Sequence, residues 1–140
     1  MRAFFNYTCQ SPFAQLYQLA AGGGSPEAVR ESFSGLPDNI KNAIYGTVWV
    51  EAGRPNTSDP QWGEHHTFDA MPIFYGALKR YVRESFGGLS SDQKNAVYGH
   101  VSHLARGEGS DVVSVPGWGR RHAFDNILRL IDAMMGAGVI

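Results

Sequence analysis

His66 stands three residues before Asp69, and His122 three residues before Asp125. At that spacing a carboxylate can orient an imidazole and raise its basicity, the minimum equipment for acid–base chemistry. Trp62 and Trp118 precede the two pairs, and further upstream stand Asn42 with Tyr45 and Asn95 with Tyr98. Trp, Tyr, Asn, His and Asp therefore recur as a set.

The same residues admit a metal. His66, Asp69, His122 and Asp125, joined by Glu31 and Glu84, would place carboxylates and imidazoles on facing helices of a bundle. The order is His then acid, the reverse of the usual pair, and no cluster of carboxylates beyond one per helix is evident. A packing role competes with both chemistries. Tyr and Trp bury large apolar bodies while their polar tips find partners, and aromatic stripes at helical spacing are more often packing than pocket. On that reading Gly46 and Gly99 allow the backbones to approach closely.

Catalysis lacks its other parts. No Gly-rich phosphate loop, serine elbow or paired cysteine ligands occur, and Cys9 is alone. His100 and His103 match Thr47 and Val50 in the other copy, and His65 matches Arg121, which makes them surface residues rather than ligands. No cofactor and no metal are called for.

The elements that must position this set are duplicated. Displacing the chain by 53 places sets 29–48 on 82–101 with thirteen of twenty positions identical, including Lys41-Asn42-Ala43 on Lys94-Asn95-Ala96. After a second loop three residues longer, Trp62-Gly63 falls on Trp118-Gly119 and Phe68-Asp69 on Phe124-Asp125. The expected fold is all-α: a helical bundle of two tandem, pseudo-twofold-related repeats, each a helix A, a helix B, a polar loop and a helix C. Within a single domain, the boundaries are a helical segment 1–24, repeat one at 25–78, repeat two at 79–135, and an apolar tail 136–140.

Period and caps carry the helical reading. Phe124, Ile127, Leu128, Ile131, Met134 and Met135 form one stripe at about 100° per residue, leaving Trp118, His122 and Asp125 on a second face. Helix B shows Ile40, Ile44 and Val48 in one copy, Val97, Val101 and Leu104 in the other. Ser90 to Gln93 is a capping box, Pro37 suits a first turn, and Gly53 and Gly107 suit helix ends. Pro72 predicts a kink or restart, with 72–86 running on into the next helix A. Residues 12–21 predict an amphipathic helix through Phe13, Leu16, Tyr17 and Ala20, followed by a glycine joint at 22–24. Val112 to Val115 could at most form a short extended strip.

Composition narrows the class. Twelve basic against thirteen acidic residues, net −1, argue against a nucleic-acid partner. The clusters Lys79-Arg80-Arg83 and Arg120-Arg121 read as solvated helix faces beside Glu84 and Asp125. No run is long enough to span a membrane, and the N-terminal residues lack an uninterrupted apolar core, so a cytoplasmic location is expected. The sequons at Asn6 and Asn56 would matter only in a secretory setting.

These observations favour a helical interaction or ligand-binding protein without catalysis, with a protein or small ligand as partner and a homodimer as one way to cover the tail. The alternative is a metal-binding or small hydrolytic bundle using the His–Asp pairs. Trp49 and the loop from Pro55 to Trp62 are the first place to seek a ligand, because the second copy has no tryptophan matching Trp49. The candidate residues are Asn42, Tyr45, Trp49, Trp62, His66, Asp69, Asn95, Tyr98, Trp118, His122 and Asp125.

Overall fold

The computed structural model describes residues 11–107, 109 and 115–140, and among these the regular structure is helical throughout. Cys9, Asn6 and positions 112–114 of the expected extended strip lie outside the described residues. The helices are α1 (Pro12–Gln18), α2 (Pro26–Ser34), α3 (Asp38–Glu51), α4 (Trp62–His65), α5 (Met71–Gly87), α6 (Ser91–Gly107), α7 (Trp118–His122) and α8 (Ile127–Gly136). None is long and apolar enough to cross a membrane. The chain divides into two compact units, 15–84 and 85–140 with 11–14.

In the first unit the starts are set by local chemistry. Ser25 caps α2 by accepting the Ala28 N–H at 3.1 Å, with Pro26 in the first turn. Pro37 is itself the N-cap of α3 in extended backbone, one residue before the helical turn the sequence suggested for it. α3 ends in a Schellman motif. Gly53 takes φ 92°, its N–H meets the Val50 carbonyl at 3.0 Å, and the Arg54 N–H meets the Trp49 carbonyl at 2.9 Å. α5 begins at Met71, with Pro72 in its first turn, and runs unbroken to Gly87.

Phe33 centres the core here. Its ring meets Phe68 and Phe74 edge-on at 5.5 and 5.6 Å, and Tyr45 at 5.7 Å. Ile40, Ile44 and Val48 of α3 are all buried, as their period predicts. Leu19–Gly23 continues α1 as a π-helical turn in which Gly22 takes φ 122°, so the glycine joint is partly ordered.

In the second unit the capping box forms. The Ser90 N–H meets Gln93 Oε1 at 3.0 Å and the Gln93 N–H meets Ser90 Oγ at 3.2 Å. Val97, Val101 and Ala105 fill the buried stripe of α6, Ala105 taking the place the period assigned to Leu104, which is half-buried. The stripe expected along helix C is broken. Asn126 adopts φ −138° and ψ 106° and caps α8, accepting the Leu128 and Arg129 N–H groups, so the helical register restarts there. Phe124 consequently falls outside the buried set at 61% exposure, while Leu130, Ile131, Ala133 and Met134 are buried with Arg129 and Asp132. The apolar tail closes α8 in a second Schellman motif, the Val139 N–H reaching the Met134 carbonyl at 3.1 Å.

Candidate functional site

Glycine decides how α4 meets α3. A β-carbon at Gly63 would overlap the Tyr45 carbonyl, and one at Gly119 the Tyr98 carbonyl. The short helices α4 and α7 therefore press directly on the backbones of α3 and α6. Gly46 and Gly99, where the sequence places this close approach, instead have open space where a side chain would go. Gly directly after Trp, at 62–63 and again at 118–119, is the readable sign of it.

The segments from Trp62 to Asp69 and from Trp118 to Asp125 share their local geometry. His66 Nδ1 lies 2.6 Å from Asp69 Oδ2, and His122 Nδ1 lies 2.6 Å from Asp125 Oδ2. Trp62 stacks on His66 with centroids 4.5 Å apart, and Trp118 on His122 at 4.6 Å. These contacts come from a single turn followed by a helix break, so the extended second face expected along helix C does not exist as a helical face. Trp118 is moreover a core residue, 7% exposed, with Arg129 over its ring at 5.7 Å. Its indole N–H has no hydrogen-bond partner among the described residues.

The first unit holds a cleft of about 780 Å³. Asn42, Tyr45 and Trp49 reach it from successive turns of α3, and Trp62 from the start of α4, so four of the candidate residues share one space. His66 and Asp69 are not part of its lining; His66 instead backs one face of Trp62. Asn95 is exposed and Tyr98 half-buried on α6 of the other unit. The remaining wall is the loop between α3 and α4, together with Glu64.

That loop is held at both ends. At its start the Trp49 indole N–H donates to the Pro55 carbonyl at 3.2 Å, and the Arg54 guanidinium lies 6.0 Å over the Trp49 ring. Arg54 takes φ 54°, an unusual left-handed conformation for a residue with a side chain, maintained by the motif that ends α3. The contact that usually closes a Schellman motif through apolar side chains is made here by a cation on an aromatic face. At its far end Asp59 Oδ2 accepts from His65 Nδ1 at 2.7 Å while Oδ1 accepts the Gln61 N–H at 2.9 Å.

These bonds set the local electrostatics. The hydrogen bond from His65, then that from Gln61, hold Asp59 below its ordinary value, and the bond to Asp59 holds His65 above its own. Burial, reinforced by Glu64 and Asp38, raises the Tyr45 hydroxyl and keeps it protonated as a donor. Among the described residues, no group of three or more His, Cys, Asp and Glu side chains is placed to hold a metal.

Neither a family model, nor a curated protein, nor a solved structure matches the chain.

Proposed function

We propose that the protein is a small-ligand-binding module whose site is the cleft of the 15–84 unit. The observation carrying this is the convergence of Asn42, Tyr45, Trp49 and Trp62 on one concave space. Aromatic walls with a few aimed polar groups are the usual make-up of a ligand site. The loop that walls the cleft stores backbone strain at Arg54, and such strain clusters where binding occurs. A binding role is favoured over catalysis because the His66–Asp69 pair, the best acid–base candidate, supports Trp62 from outside the lining.

We read the chain as a diverged duplication in which one copy carries the site. The matching Trp–His stacks, His–Asp bonds and glycine contacts support that reading, and Ser102 in the position of Trp49 marks the divergence. A nuclear magnetic resonance screen of small polar and aromatic fragments tests the site. Hits should move the Trp49 and Trp62 indole signals together. Hits that gather elsewhere, or none, would remove the cleft as the binding site.

A further inference from the structure

We propose that the ligand is a neutral saccharide, an inference that rests on the cleft being a ligand site. Charge narrows the choice first. Arg54 stands at the Trp49 wall, so a cationic ligand meets a like charge on the face it would need. Glu64 and Asp59 stand at the α4 end, so an anion meets like charge there. An uncharged ligand meets neither opposition.

The polar lining then asks for hydroxyls. The amides of Asn42, Asn56 and Gln61 each offer both donors and an acceptor, and the Tyr45 hydroxyl is a protonated donor. Among the described residues these side chains form no hydrogen bond, so their capacity is available to a ligand. A planar apolar ligand would leave such groups unpaired as it displaced their water, which costs affinity. A sugar's hydroxyls, each both donor and acceptor, match them.

The aromatic walls fit the remainder. The N–H of Trp49 is already used on Pro55, and His66 covers one face of Trp62. Arg54 lies over the Trp49 ring, so the flat carbon that the two rings still present to the cleft is bordered by polar groups, a pairing suited to the C–H face of a pyranose. A ligand with one apolar face and a hydroxylated edge uses both kinds of wall at once.

The test titrates the full chain with maltotriose, cellotriose and N,N′-diacetylchitobiose while following the three indole N–H signals. Choline, inorganic phosphate and adenosine serve as charged and planar comparators. At least one saccharide should shift Trp49 and Trp62 saturably and leave Trp118 unmoved. Trp49→Ala, and separately Asn42→Ala at an exposed position that leaves the core intact, should each weaken that binding about tenfold with unchanged helical circular dichroism. If no saccharide moves these signals, the saccharide assignment is wrong. A shift by choline, phosphate or adenosine alone would overturn it as well, while leaving the cleft standing as a ligand site. Silence from the comparators and from the fragment screen would remove both.

Discussion

Gly63 lies against the carbonyl of Tyr45 with no room for a β-carbon. The whole α3–α4 wall of the cleft depends on that contact, and the same contact joins Gly119 to Tyr98 in the other unit. Gly63→Ala and Gly119→Ala should each cost about 1–3 kcal/mol, because backbone rather than a flexible side chain must give way. Gly99→Ala, where nothing obstructs, should instead stabilise by about 0.5–1 kcal/mol through better helix propensity. Urea denaturation midpoints at constant slope measure both.

The Asp59–His65 bond should respond to pH with a definite sign. His65 is raised above 6.5 in the folded chain, so its contribution is complete below 6.5 and is lost as pH rises through the raised value. Asp59 is lowered below 3.8, so its contribution is present above 3.8 and is lost as pH falls through the lowered value. The loop is therefore best anchored between them. A titration of the His65 ring by nuclear magnetic resonance should give a midpoint above the ordinary one, and Asp59→Asn should bring it down.

Trp118 has a buried indole N–H without a partner among the described residues. Phenylalanine removes that unsatisfied donor while keeping an aromatic ring, so the area lost is partly offset. Trp118→Phe should cost less than about 2 kcal/mol, against about 3–5 kcal/mol for Trp118→Ala. Calorimetric or urea unfolding of the two variants distinguishes them.

Asp132 should be a stability residue. Buried to 6% exposure, it accepts the Ser11 N–H at 2.9 Å, while Ser11 Oγ accepts the Ala14 N–H at 3.1 Å and starts α1. Asp132→Ala should cost about 1–3 kcal/mol by stranding a buried donor, and Asp132→Asn should recover part of it. Thermal unfolding provides the comparison.

The sequence made the helices and much of the α3 wall legible, because period and caps are local. Ile40, Ile44 and Val48 point inward, and Asn42, Tyr45 and Trp49 follow as the outward set. Phe124 shows where a period misleads. Carried across Asn126 the stripe takes in Phe124, yet Asn before an apolar run is also a cap, and the cap prevailed. In the 15–84 unit the helix likewise breaks at 66–70, before Pro72 in the first turn of α5. The loop wall was legible only as a place. Its geometry depends on Trp49 reaching Pro55 and Asp59 reaching His65, contacts six residues apart that follow no period. No period marks Arg54 either, because its role is created by the glycine turn before it.

The different settings of the three tryptophans give the chain an optical contrast of its own. Trp49 and Trp62 are half-buried at the cleft and Trp118 is nearly sealed. Emission from the first two should lie to the red of the third and be the more readily quenched by acrylamide. A molecule entering the cleft would dry two emitters and leave the third as an internal standard, so occupancy could be followed in unlabelled protein.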